Sequence, residues 1–383
     1  MQPRWKPRTS RTISTRSRLG AIPALLIFPA FAATAYAEPA RQATPPATSP
    51  GAPSATPGAT PVTVGRILPV ARIAILTGPA RDAINPTGEE YEVYGTDLGH
   101  TFLYGDELYM IFGDTFGLNK TDWRSNAAAV INIDQDPGGG LIFDRMLTDR
   151  PGHAKELLPS KKIDFDEITV IPTYGVAVGD RLVLHYMSVA HWGPPGEWTL
   201  GAAGLAYSDD AGETWTKDEA AIWPGDSNFG QVSIVEHAGH LYLHGIPGGR
   251  FGGVHLARVA PERLLDFDAY EFWQGAAWDS DITSAATIVP APVGELSVRW
   301  NPYYDTWVMM YLNEDRAAIV LRTADALTGP WSEEWIVATG REFPSLYAPY
   351  QFPLWNDGPE IYFTMSLFGP YQVYLMKTSL PEK

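Results

Sequence analysis

Short apolar and aromatic runs, each closed by a glycine-containing turn, set the rhythm of this chain. Residues 94–117 hold the clearest example, two such runs joined at Gly105-Asp106. Glycine followed by a small polar residue suits a two-residue hairpin whose first turn position takes φ > 0. Counting outward from that turn pairs Tyr104 with Glu107, Leu103 with Leu108 and Phe102 with Tyr109. The same count sets Asp97 opposite Asp114. Facing residues of an antiparallel pair have Cβ atoms about 4.5–5.5 Å apart. Two carboxylates that close repel, which drives their pKa values apart and costs folding energy. Either aspartate alone could cap a loop or accept turn amides. In register, the pair points to glycosidic-bond hydrolysis or to cation binding.

The hairpin pattern recurs. Second strands of the same kind read Leu108–Phe112, Leu182–Met187, Leu241–Gly245, Trp307–Leu312 and Ile361–Met365. Each follows a strand candidate and a turn, and each precedes further strands such as 128–131, 204–207, 254–257, 319–321 and 373–376. A spacing of roughly 50–75 residues suits four-stranded propeller blades with loop insertions. Five such units fill residues 65–383, and the sequence predicts an all-β, five-bladed propeller. Residues 208–215, Ser-Asp-Asp-Ala-Gly-Glu-Thr-Trp, fit the Asp-box hairpin found between outer blade strands, a structural element. Asp boxes are best known from sialidases, but no early arginine motif suggests the arginine triad such an enzyme needs.

The first 37 residues read as a secretory signal peptide. Arg4, Lys6, Arg8, Arg11, Arg16 and Arg18 form a basic region, Leu19 to Phe31 an apolar run, and Ala35-Tyr36-Ala37 a small-x-small cleavage site. Residues 38–64 are rich in Pro, Ala, Thr, Ser and Gly and read as a disordered tether. Secretion through the general export route is expected, with no membrane insertion once the signal is removed. The whole chain carries a charge of −16, and removing the six basic signal residues takes it to −22. The acidic excess leaves no basic footprint to neutralise phosphates, so nucleic acid is not expected as a partner and a neutral polymer fits better. The chain has no cysteine, so its stability must come from a large core, and a monomer is expected.

In a propeller the first strand of each blade lines a central funnel, and ligands bind at one mouth. The hairpin geometry brings the start of strand one and the end of strand two to that mouth. Besides Asp97 and Asp114, this places Glu167, Gln231, Arg250, Glu295 and Tyr350 there as supporting or substrate-binding candidates, with Trp192 as a sugar-stacking surface. Blade packing is the competing role for the aromatics. The eight histidines show no zinc-type spacing, so no metal or cofactor is required. A structural calcium ion held by carboxylates and carbonyls is compatible with the composition.

Gly-Thr-Asp-Leu-Gly at 95–99, Phe-Gly-Asp-Thr-Phe-Gly at 112–117 and the stretch 247–259 resemble a bacterial family long filed as a domain of unknown function. So do Gly-Glu-Leu-Ser-Val-Arg-Trp-Asn at 294–301 and Tyr-Gln-Val-Tyr-Leu-Met at 371–376. That family includes endo-D-arabinanases, glycoside hydrolases that cut the D-arabinofuranose chains of mycobacterial arabinogalactan and lipoarabinomannan. The resemblance implies a five-bladed propeller and essential acids at Asp97 and Asp114. It also leads one to expect a Gly-Gly-Tyr stretch in the last blade, where this chain has Tyr347-Ala348-Pro349-Tyr350. The alternative is a non-catalytic carbohydrate-binding propeller of the cell surface.

Mass spectrometry of the secreted protein is expected to find Glu38 at the N-terminus. An intact basic region on the mature form would refute the signal assignment.

Overall fold

The computed structural model describes residues 66–381. The expected signal peptide and tether lie outside the described residues. The fold is a five-bladed propeller. The first blade comprises Leu98–Tyr104, Glu107–Phe112, Ala127–Asn132 and Arg145–Met146 from inside to outside. The second comprises Thr169–Val178, Arg181–Trp192, Trp198–Ser208 and Thr216–Pro224. The third runs Gln231–His237, His240–Ile246, Gly252–Val259 and Glu271–Trp273, with Thr287–Val293 also paired to its third strand. The fourth runs Leu296–Asn301, Thr306–Asn313, Ala318–Ala324 and Trp335–Thr339.

Leu346–Gln351, Ile361–Leu367 and Gln372–Thr378 supply only three strands of the fifth blade. Its outer strand is Val70–Ile75, from the other end of the fold, paired antiparallel to Gln372–Thr378. Every inner strand touches the next, and the fifth touches the first, so the ring is closed. This pairing covers the outer edge of Gln372–Thr378 and joins the two ends of the propeller within one blade.

Each blade is buried on both faces, which explains why its second strand is a continuous apolar run rather than an alternating one. Leu108, Met110 and Phe112 point into the core shared with the fifth blade, while Tyr109 and Ile111 point into the core shared with the second. Val308 and Met310 likewise face the fifth blade, and Trp307, Met309 and Tyr311 the third. Five separate apolar clusters thus fill the five seams. The Asp box joins the two outer strands of blade two. Asp210 accepts from the Thr214 amide at 2.8 Å and the Ser208 hydroxyl at 2.7 Å, and Trp215 Nε1 donates to Gly212 at 3.0 Å.

Deleting residues 38–62 is expected to leave the melting temperature unchanged, because the circular pairing begins downstream of them. Extending the deletion through Ile75 removes the outer strand of blade five and should lower the melting temperature sharply or abolish folding. Equal melting curves for the two deletions would refute the closure.

Candidate active site

The first hairpin forms as the sequence predicts, with Tyr104 against Glu107, Leu103 against Leu108 and Phe102 against Tyr109. Gly105 sits at φ +59°, the left-handed conformation the turn requires. Near the mouth the register departs from the simple count. Leu98 pairs with Phe112, one residue out of step, so the inner strand carries a bulge at Leu98-Gly99. The original count is restored at the bridge between Gly95 and Phe116. Asp97 and Asp114 are therefore neighbours across an interrupted ladder, and it is the Gly113 amide that donates to the Asp97 carbonyl, at 3.2 Å. A bulge re-aims the side chains beside it. Leu98 is held at φ +67°, a conformation that costs an L-residue about 1–2 kcal/mol. A Cβ on Gly113 would lie 2.5 Å from Asp97 Oδ1, so only glycine leaves room for that carboxylate.

The two acids face opposite seams. Asp97 turns to blade five, where Oδ2 accepts from Tyr347 at 2.8 Å and Tyr371 at 2.9 Å. Its Oδ1 is buried with no hydrogen-bond partner. Asp114 turns towards blade two, where Oδ1 accepts from Thr169 at 2.6 Å, and also from Trp123 Nε1 at 2.7 Å. Each carboxylate thus has one oxygen fixed by two donors and the other oxygen outside that clamp. Burial, reinforced by the Asp114 charge and opposed by the tyrosine bonds, raises the Asp97 pKa to about 7. Burial also raises that of Asp114, to about 6, against the lowering effect of Thr169 and Trp123. Burial and the Asp97 carboxylate push the Tyr347 and Tyr371 hydroxyls well above their ordinary range, so both stay proton donors.

Across the funnel, Glu295 Oε1 accepts twice from Arg250, at 2.8 and 3.0 Å. Arg250 also bonds Glu314 at 3.1 Å and lies over the Tyr347 ring, 4.8 Å from its centroid. Burial disfavours the Arg250 charge, but Glu295 and Glu314 more than offset it and hold its pKa above the ordinary value. Arg250, Glu295 and Tyr347 thus form a chain that reaches Asp97. Tyr350 is buried deeper, edge-on to His100 at 5.6 Å, and His100 stacks on Tyr174 at 5.5 Å.

The other predicted residues lie apart from this chain. Glu167 is bonded by Ser188 at 2.9 Å and faces Lys217 at 3.5 Å. Gln231 donates to the Gly249 carbonyl at 2.8 Å and so holds the loop that carries Arg250. Trp192 is 36 % exposed and packs edge-on against Trp198, which in turn lies 5.8 Å from Arg250. Sequence reasoning missed Tyr371, Trp123 and Gly113. Tyr371 opens the family-like stretch 371–376, which was the available signal for it.

Among the described residues, one group of acids and histidine has ligand atoms close enough to share an ion: Glu92, Asp122 and His153. It includes neither Asp97 nor Asp114. Both His153 ring nitrogens are already bonded, to Asp149 at 2.7 Å and Asp122 at 2.8 Å, and Arg124 lies 3.4 Å from Asp122. Those contacts are those of an ion-pair network.

The family model described as a domain of unknown function (DUF4185) matches residues 82–377, which include all five inner strands and both aspartates. The chain belongs to the DUF4185 family. Outside its own family model, this DUF4185 chain is 28 % identical to notoamide biosynthesis cluster protein J' of Aspergillus versicolor over 294 residues, covering 71 % of this chain and 80 % of that protein. Among solved structures it resembles a protein from Bacteroides ovatus described as a presumed hydrolase, with TM-score 0.55, 14 % identity, and coverage of 76 % of this chain and 87 % of the other. It also resembles a presumed exo-β-1,3-galactanase from Bifidobacterium bifidum, with TM-score 0.51, 12 % identity, and coverage of 81 % and 94 %. At these identities the solved structures establish the DUF4185 fold alone. Its last blade departs from the expected glycine-rich stretch, yet Ala348 takes φ +55°, the backbone conformation a glycine would adopt.

A carboxyl whose pKa is raised on folding keeps its proton in the native state at a pH where the unfolded chain has released it. Stability should therefore fall as pH rises from about 4 to about 7. Asp97→Asn should remove most of that slope and be more stable than the parent by about 1–4 kcal/mol at pH 8. Denaturant melts across that range check it, and parallel slopes for the two proteins would show that Asp97 ionises normally.

Proposed function

We propose that this protein is an exported glycoside hydrolase acting endo on D-arabinofuranose-containing polysaccharide, with Asp97 and Asp114 as its catalytic pair. One observation carries the reading. Two buried carboxyls sit at one mouth, each with one oxygen clamped by two donors, and burial raises the pKa of both, with the Asp114 charge adding to the rise at Asp97. That is how two like residues acquire unlike roles. Asp97, with the higher pKa, is the general acid. Its proton passes to the glycosidic oxygen as the bond from that oxygen to the anomeric carbon breaks. Asp114, ionised first, either takes a proton from the attacking water or forms the ester that water then hydrolyses. The anomeric configuration of the first product distinguishes the two courses.

Charge supports a neutral substrate. Asp97, Asp114, Glu295 and Glu314 surround the funnel, and Arg250 is already engaged by two of them. Lys162, whose charge is felt at Asp114, is paired as well, with Glu156 at 3.3 Å. The choice of D-arabinan rests on the motifs at 95–99, 112–117, 247–259 and 294–301 that resemble the endo-D-arabinanases. The Bacteroides ovatus and Bifidobacterium bifidum structures share the fold and support a glycan-active propeller only in that sense.

Reducing-sugar release from purified D-arabinan, compared with L-arabinan, tests the substrate. Asp97→Asn and Asp114→Asn should each lower the rate by about 10²–10⁴ while the protein stays folded. Asp106→Asn, on the turn at the far end of the same hairpin, should keep near-normal activity. Folded rim variants that cut at the parental rate would refute the pair. Tyr371→Phe removes a donor to the Asp97 carboxylate and should raise the Asp97 pKa. The alkaline limb of the pH–rate profile then moves to higher pH, with a reduced maximum. An unmoved limb would show that Tyr371 does not tune the acid.

A further inference from the structure

Four aromatic rings form a continuous run along the lip beside the two acids. Phe368 packs edge-on against Tyr371 with centroids 6.1 Å apart, and Tyr371 packs edge-on against Phe116 at 5.6 Å. Phe116 lies nearly parallel to Trp123 at 6.0 Å. All four come from connections between second and third strands at the mouth that carries Asp97 and Asp114, two in blade five and two in blade one. None belongs to the five seam clusters. Phe368 is 60 % exposed and the other three are only partly buried. The polar tips of the run point inward. Tyr371 donates to Asp97 at 2.9 Å and Trp123 to Asp114 at 2.7 Å. What the run offers outward is the ring surface of Phe368, Tyr371 and Phe116 and the edge of Trp123, whose face carries the Lys162 ammonium 4.2 Å from its centroid, all held in fixed relation to both carboxylates.

We propose that this run is a binding track for the sugar rings that flank the scissile bond of a neutral glycan chain. The proposal rests on the reading of the mouth as a glycan-hydrolysing site. Sugar rings present C–H faces that stack on aromatic surface, and their hydroxyls need no counter-charge. An anionic chain would meet the field of Asp97, Asp114 and Glu295. The track extends past both acids, from Phe368 on blade five to Trp123 on blade one. It therefore suits a chain that crosses the mouth, as internal cleavage of a polymer demands. A small glycoside held only at the acids would not reach Phe368.

Phe368→Ala tests this, since so exposed a side chain is not needed for folding. Binding is measured in the hydrolytically silent Asp114→Asn protein, by calorimetry and by tryptophan fluorescence, with linear D-arabinofuranosyl di- and octasaccharides. Phe368→Ala should raise the Kd of the octasaccharide about five- to tenfold and leave the disaccharide unchanged, and Phe368→Trp should restore binding. In the active protein the same change should raise KM on the polymer with kcat nearly constant. Equal losses for both lengths, an unchanged octasaccharide Kd, or no binding of either sugar would overturn the track. So would a dimer in sedimentation that Phe368→Ala dissociates, because the rings would then cover a second copy. Phe368-dependent binding without release of reducing ends by the parent protein would keep the track and remove the hydrolase. Hydrolysis indifferent to Phe368 would do the opposite.

Discussion

Everything at the mouth depends on one carboxylate oxygen, Asp97 Oδ2, being gripped by two hydroxyls from the neighbouring blade. Burial alone would make Asp97 a neutral acid of no fixed orientation. The tyrosines fix its plane, leave Oδ1 free of the clamp and pull its pKa partly back, to about 7. Asp114 repeats the arrangement towards the opposite seam, with Thr169 and Trp123 as donors. The site therefore belongs to no single blade. It spans two seams, with the acids contributed by the blade between them.

Such a site tolerates little slippage, and the architecture provides against it. Each seam has its own apolar core, and side chains alternate between two cores along every second strand. A one-residue slip in blade one would exchange Leu108, Met110 and Phe112 for Tyr109 and Ile111 in the seam with blade five. The acids sit at strand ends on this packed frame rather than on free loops, which fixes catalytic groups more closely. The strained backbone at Leu98 is tolerated in the same setting, beside the residue it helps to aim.

Much of this was legible in the sequence, and for definite reasons. Apolar runs bounded by Gly-Asp and Asp-Gly turns announce hairpins because turn geometry sets register locally. That local rule brought Asp97 and Asp114 together. It could not reveal the bulge at Leu98-Gly99, since a glycine in a strand marks many things besides a bulge. Nor could it say which residues would bond the two acids. Tyr371 lies 274 positions from Asp97, and Thr169 lies 55 from Asp114, so neither contact has a local signature. Glu167 and Gln231 illustrate the converse. A polar residue at the start of an inner strand looks the same in sequence whether it faces the funnel or holds a loop. The strand Val70–Ile75 was similarly opaque, because its partner lies at the other end of the chain.

The circular closure gives the chain a built-in order of events. The outer strand of blade five is synthesised before all five inner strands, and the strand it pairs with after them. Until Gln372–Thr378 exists, Val70–Ile75 has no neighbour, and Tyr371 cannot reach Asp97. An unfinished chain thus carries an ordinary solvated aspartate where the complete protein carries a buried acid that holds its proton near neutrality. The chemistry of the mouth needs both ends of the propeller, and arises when they meet.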